Sequence, residues 1–289
     1  MAKQDKPQHT PDTGHEWDGI RELTNPPPRW WMIAFHASWI WCVVYFILYP
    51  AIPLVHESTK GILGWTQIKE FKEAVAENAV LKAPLLEKVA SMDGQELLTD
   101  AGMRNFSESS AKAIFGDNCA GCHGAGGEGA PGLFPSLADD DWLFGGDIDT
   151  IIESITDGRE GNMPAHMDIL SKDEVNQLTD TVIALSEGKA TPAQFAQFNE
   201  IGCANCHGEN AEGGAINDLG SGAANLADGI WRFGSSREDI MRTIRYGVNQ
   251  DQEEVPETRV AIMPAFGGKL SPEAIKMLAV KVHEFGGGK

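Results

Sequence analysis

Residues 118–129 read NCAGCHGAGGEG and residues 202–214 read GCANCHGENAEGG. Each holds Cys-x-x-Cys-His and then a Gly-rich run. A Cys-x-x-Cys pair can bind zinc, run thiol exchange or carry haem, and only the last calls for a His directly after the second Cys. The reason is geometric. Two thiols add to the two vinyl groups on one porphyrin edge, and the adjacent imidazole reaches the iron from the proximal face. Cys119, Cys122 and His123 are therefore candidates to hold one haem c, and Cys203, Cys206 and His207 a second. A zinc site made from all four cysteines would need two distant loops to converge and leaves both histidines without a role. No βαβ pattern surrounds either pair, which argues against a thioredoxin-like site.

A Met-Pro-Ala follows each motif: Met163 in GNMPAH and Met263 in IMPAFGG. A thioether closes the iron and raises its potential. In chain order Met163 is expected to serve the iron of His123, and Met263 that of His207. His166 is the alternative to Met163. Met103, Met167, Met241 and Met277 have no such repeated setting, and His283, on a predicted helix, is expected at the surface.

The repetition goes beyond the motifs. PSLADDDWLFGGDIDTIIESITDG aligns with ANLADGIWRFGSSREDIMRTIRYG, so Trp142 matches Trp231 and Phe144 matches Phe233. Past the Met residues, Val175, Leu178, Val182 and Leu185 match Ile275, Leu278, Val282 and Phe285. Both rows have helical spacing and give one apolar face. Ala111 and Ile114, before the first motif, match Phe195 and Phe198. Ser171 with Glu174 and Thr191 with Gln194 read as capping boxes, with Pro192 at a first helical position. Each half is thus a helix running into Cys-x-x-Cys-His, a long loop, a middle helix, a Met-bearing loop and a final helix. That is a cytochrome c domain, whose haem fills a core so short a chain cannot otherwise build. The second half has an eleven-residue insertion between Tyr246 and Met263, acidic and expected to be exposed: either tolerated length or a docking element.

Composition sets the bounds. A chain of 289 residues suggests about two domains of about 100–200 residues each. The net charge of −19 excludes a nucleic-acid binder and suits a basic protein partner. With Cys42 the cysteines number five, four of them in the motifs, so no disulfide framework is expected. Between Arg29 and Glu57 there is no Asp, Glu, Lys or Arg. A stretch this long and apolar reads as a membrane-spanning helix, with Trp30, Trp31 and Tyr49 as interfacial anchors. A buried core helix would be shorter. A cleaved signal peptide would have a shorter apolar region and a small-residue cleavage site. Arg21 and Arg29 before the span face Lys60, Lys69 and Lys72 after it, so charge does not orient it. Haem c is attached outside the cytoplasmic membrane, which places residues 57–289 on the periplasmic side of a bacterial inner membrane and the N-terminus in the cytoplasm. His36 and Ser38 lie inside the span. An intramembrane His is a functional candidate, but with no carboxylate nearby it reads as a packing residue, and Cys42 as a small apolar one.

The stretch WDGIRELTNPPPRWW, Trp17 to Trp31, runs straight into the span. It resembles the signature before the transmembrane helix in the diheme subunit (subunit III, CcoP/FixP type) of cbb3-type cytochrome c oxidases. The domain order agrees: a cytoplasmic segment 1–29, an anchor 30–56, a helical linker 57–106, and cytochrome c domains 107–188 and 191–289. The fold class expected is all-α. The resemblance implies a non-catalytic electron-transfer subunit with two covalent haems. It would take electrons from a periplasmic or membrane-bound cytochrome c, or from quinol–cytochrome c reductase. It would pass them to a monohaem subunit and a haem b–copper catalytic subunit that reduces oxygen to water and pumps protons. The family's axial ligands fall on His123, Met163, His207 and Met263, and its thioether cysteines on Cys119, Cys122, Cys203 and Cys206. In many cytochromes c a Pro carbonyl receives the ligand His N–H; Pro131 or Pro135 can serve in the first half, where the second half has Ala224 opposite Pro135. In the linker, Phe71, Val75 and Leu81 suggest helices lying on a neighbouring subunit or on the first haem domain, broken near Pro84. The rival readings are a free-standing anchored diheme shuttle, a diheme peroxidase with one open iron, and a zinc-stabilised interaction module.

Overall fold

The computed structural model describes residues 11–214 and 222–286, so the first ten residues of the expected cytoplasmic segment lie outside it. The chain divides into two units, residues 1–81 and 82–289.

The first unit begins with a hairpin that sequence reasoning missed. Strands β1 (Asp12–Trp17) and β2 (Ile20–Leu23) are antiparallel, with Trp17 opposite Ile20. Asp18 and Gly19 both have positive φ, at 46° and 82°, as a two-residue Asp-Gly turn requires. Helix α1 (Arg29–Leu48) follows, 20 residues long with no buried side chain. At 1.5 Å per residue it spans about 30 Å, the thickness of a bilayer's hydrocarbon core. It ends two residues before Pro50, and Tyr49 then packs edge-on to Trp65 at 5.5 Å. Its His36 ring stands edge-on to Phe35 at 5.7 Å.

Helix α2 (Gln67–Ser91) runs through Pro84 without breaking. Phe71, Val75 and Leu81 are exposed, whereas Val89 is fully buried in the second unit. Helices α3 (Gly94–Thr99) and α4 (Ala101–Asn118) continue, with Leu97 and Met103 in the same core. The expected linker from Lys82 onward therefore belongs to the second unit. Lys276 fixes it there, its Nζ donating to the carbonyls of Val89, Ala90 and Met92 at 3.3, 3.1 and 2.5 Å, as a cation at a helix C-terminus does.

The remaining elements repeat. One set is α5 (Ala120–His123), α6 (Ile148–Asp157), strand β3 (Arg159–Glu160) and α7 (Lys172–Ser186). The other is α8 (Pro192–Ile201), α9 (Ala204–His207), α10 (Arg237–Tyr246), strand β4 (Ile262–Met263) and α11 (Pro272–His283). Both capping boxes are present, Ser171 with Glu174 and Thr191 with Gln194.

The final helices are exchanged between the halves. One core joins Ala111 and Phe115 of α4 and Ile148, Ile151 and Ile155 of α6 to Ile275, Leu278 and Val282 of α11. The other joins Val175, Leu178, Val182 and Leu185 of α7 to Phe198 of α8 and Ile240 and Ile244 of α10. Each such buried side chain contributes about 1.5–3 kcal/mol relative to exposure. The cause is the short turn from Glu187 to Thr191, which makes α7 and α8 neighbours. With α7 in the second core, α4 and α6 are covered by α11. Arg237 strengthens the α7–α10 contact, bonding Asp180 at 3.0 Å and the Asn176 side chain at 3.3 Å.

Candidate haem-binding sites

Each Cys-x-x-Cys-His forms a single helical turn. The N–H groups of Cys122 and His123 donate to the Cys119 carbonyl at 3.1 and 2.9 Å, and those of Cys206 and His207 to the Cys203 carbonyl at 3.3 and 3.0 Å. In one helical turn the residues at i, i+3 and i+4 share a face, which is where each Cys pair and its His stand in the sequence. The Gly-rich loop then folds back. The Gly129 N–H reaches the His123 carbonyl at 2.7 Å and the Gly213 N–H the His207 carbonyl at 2.8 Å.

The histidine orienters are carbonyls in both halves. His123 Nδ1 lies 3.1 Å from the Pro135 carbonyl, and His207 Nδ1 lies 2.8 Å from the Ala224 carbonyl. Pro131 takes no part. The contact needs the backbone only, so replacing Pro by Ala keeps it. With Nδ1 as donor, Nε2 carries the lone pair available to a metal. Burial lowers the pKa of both rings: for His123 against the pull of the Pro135 carbonyl and with help from Arg232, for His207 against the Ala224 carbonyl and with help from His166. Burial thus favours the neutral form of both imidazoles. Burial raises the Cys119 thiol, with Cys122 adding to it, and burial likewise raises Cys203.

The Met loops cross over. Met263 packs in the core that contains Cys119, Ala120 and Trp142, and Met163 in the core that contains Cys203, Ala204 and Trp231. The packing departs from chain order, because each Met loop leads into a final helix that lies in the other core. Backbone contacts fix the crossing. Arg159 pairs with Met263 and Val248 with Met163. The Phe266 N–H donates to the Ile155 carbonyl at 3.0 Å, and the His166 N–H donates to the carbonyls of Ile244 and Arg245 at 3.2 and 3.1 Å. Gly158 and Gly247, which end α6 and α10, are the seats. They have φ of 74° and 65° with extended ψ, and a Cβ on either would overlap the carbonyl of the opposite Met. Sequence reasoning missed these glycines, although both aligned middle segments end in Gly.

His166 occupies the place that Phe266 holds in the other half, and both make the same backbone contact. The donor common to the two loops is the thioether. His283, expected at the surface, is half-buried on α11. Arg232 was also missed. Its carbonyl accepts the Gly132 N–H at 3.0 Å, its guanidinium lies over Phe233, and burial lowers its pKa against the pull of Asp141. The Asp141 carboxyl is pushed up to about 6 by burial, then by Asp228 and Asp139, with Arg232 opposing.

These residues fit haem c: paired thiols on one turn, an oriented imidazole with Nε2 to spare, and a thioether in the same core. They do not fit zinc. Among the described residues no group of three or more His, Cys, Asp or Glu side chains converges.

Comparison with known proteins agrees. Residues 9–56 match the N-terminal domain of cytochrome oxidase-cbb3, FixP, and residues 107–180 and 190–280 match cytochrome c oxidase, cbb3-type, subunit III. The cbb3-type cytochrome c oxidase subunit FixP of Azorhizobium caulinodans is 42% identical over 96% of this chain and 93% of its own length. Subunit CcoP of Azospirillum brasilense is 36% identical over 96% and 95%. Subunit FixP of Sinorhizobium medicae is 37% identical over 96% and 94%.

The chain belongs to the cbb3-type cytochrome c oxidase subunit III family. As a subunit III it is an electron-transfer component with tandem cytochrome c domains for haem c, and α1 is its membrane anchor. The hairpin and α1 fall within the matched N-terminal domain.

Proposed function

We propose that this chain is the two-haem electron relay of a proton-pumping cbb3-type oxidase, with crossed axial donor pairs: His123 with Met263, and His207 with Met163. When bound, haem c supplies a one-electron carrier. The chain's own residues do the rest. Cys119, Cys122, Cys203 and Cys206 fix the two groups covalently. The Pro135 and Ala224 carbonyls hold the imidazoles. The Met163 and Met263 thioethers would supply the second donor to each group and leave no open position for a substrate, so the chain alone would not reduce oxygen. Electrons enter from a periplasmic or membrane-bound cytochrome c, or from quinol–cytochrome c reductase, and an acidic surface favours a basic donor. They leave for a monohaem subunit and then the haem b–copper catalytic subunit. The N-terminus is cytoplasmic and the haem-bearing body periplasmic, where haem c is attached.

The observation that carries this reading is the composition of the two cores: each contains the first Cys of one motif and the Met loop of the other half. The test is purification in mild detergent through a tag on this chain, with a reduced-minus-oxidised spectrum and oxygen uptake. Haem b and oxygen reduction should accompany the haem c bands. Haem c alone, with no oxygen consumed, would make the chain a free-standing shuttle.

A further inference from the structure

The second half carries residues 248–258, which have no counterpart in the first. A loop of merely tolerated length would hang free from its base. The base is closed, since the Arg259 N–H donates to the Gly247 carbonyl at 3.1 Å. The tip from Asp251 to Glu254 is exposed. The first three residues behave differently. Val248 exchanges two backbone bonds with Met163, at 2.9 and 3.2 Å. Gln250 Nε2 lies 2.9 Å from the Met163 carbonyl and 3.1 Å from Asn162 Oδ1. Its N–H reaches the buried Thr258 hydroxyl at 3.2 Å.

Asn249 does more. Its Nδ2 donates to the Gly161 carbonyl at 2.6 Å and to the Ala261 carbonyl at 3.0 Å, and its Oδ1 accepts the Ala261 N–H at 2.8 Å. Gly161 and Ala261 stand two residues before Met163 and Met263, at equivalent places in the two halves. One carboxamide therefore ties both Met loops together where the halves meet. The residue holds φ at 54°, a left-handed conformation that Asn tolerates better than most side chains.

We infer that the insertion is a clasp, in which Asn249 positions both distal methionines and Gln250 positions Met163 alone. The inference rests on Met163 and Met263 being axial ligands. Its signature is a single side chain, outside either ligand set, that controls both irons. A docking loop or a spacer has no such signature.

The experiment uses the full chain in its detergent-solubilised complex. A Cys119→Ala background leaves one vinyl group of the first haem unreacted and displaces its absorption to the red, so the two haems are read separately. Redox titration and the far-red sulfur-to-ferric-iron band are recorded for Asn249→Gly, which keeps the positive φ and removes the carboxamide, and for Gln250→Ala. Met163→Ala, Met263→Ala and the exposed Glu253→Ala are the comparisons. Asn249→Gly should weaken the far-red band of both haems and lower both midpoint potentials. Gln250→Ala should affect only the haem on Cys203 and Cys206, and Glu253→Ala neither. If the Met variants lose the band but Asn249→Gly keeps it with both potentials unmoved, the clasp is refuted and the ligand assignment stands. A fall in melting temperature alone, with band and potentials intact, refutes it equally. If the Met variants keep the band, the ligand assignment falls and the clasp with it.

Discussion

Replacing Gly158 by Ala tests the crossed seating most directly. Gly158 ends α6 with φ 74° and ψ −179°, a region open essentially to Gly alone. A side chain there costs about 1–3 kcal/mol in the backbone. The added Cβ would also overlap the Met263 carbonyl and stand 2.8 Å from the Ala265 nitrogen and 2.9 Å from the Pro264 carbonyl carbon. These are backbone atoms, so only movement of the Met263 segment relieves the clash. That movement gives up the pairing of Arg159 with Met263 and of Glu160 with Ile262, about 1 kcal/mol each. About 2 kcal/mol therefore acts on the Met263 seat itself, a rise of about 30-fold in the unseated fraction at about 1.4 kcal/mol per tenfold. Gly188→Ala is the control. Gly188 also has positive φ, 64°, but nothing lies within 4 Å of its Cβ position. The assay is the far-red band of the ferric protein during a mild denaturant titration, read per haem in the Cys119→Ala background. Gly158→Ala should lose the band of the haem on Cys122 and His123 well before that of the other haem, whereas Gly188→Ala should shift both curves together. Loss of the His207 haem's band first, or curves identical to the control, would refute the crossed seat.

Two further outcomes are expected. Met263→Ala should lower the potential of the haem on His123 and leave the other nearly unchanged, with Met163→Ala doing the reverse; redox titration in the Cys119→Ala background distinguishes this from ligation in chain order. Asp141 holds its proton in the folded state up to a pKa of about 6, against an ordinary value of 3.8, so stability should fall as pH rises through that window and stay lowered above it. Asp141→Asn should therefore melt higher than the parent at pH 8 and no higher at pH 4, and a gap independent of pH would count against the buried carboxyl.

Much of this was legible in the sequence. The two Cys-x-x-Cys-His turns, the Met-Pro-Ala loops, the capping boxes and the uncharged span each carry local chemistry that a short window reveals. The exchange of final helices was not legible from the apolar pattern. Val175, Leu178 and Val182 present the same face as Ile275, Leu278 and Val282, so either row suits either core. Duplication makes the pieces interchangeable, and the deciding information is the length of the turn after Glu187. The orienting carbonyl at Ala224 was legible only through its alignment with Pro135, because backbone groups leave no mark on residue identity. Asp18–Gly19 is a two-residue hairpin signal, but the flanking stretches Asp12–Trp17 and Ile20–Leu23 lack the alternating apolar pattern that marks strands. The role of Asn249 depends on two loops far apart in sequence, and only the fold brings them to one side chain.

The crossing also sets an order of assembly. Synthesis runs from the N-terminus, so α4, α5 and α6 emerge first. Their core waits for Met263 and α11, the last helix among the described residues. The core around His207 draws on α7 to α10 and the Met163 loop, all made earlier. The site encoded first is thus finished last. A chain cut short before Pro272 would lack α11 and leave the core around Cys119 uncovered, whereas the core around Cys203 would keep all its helices.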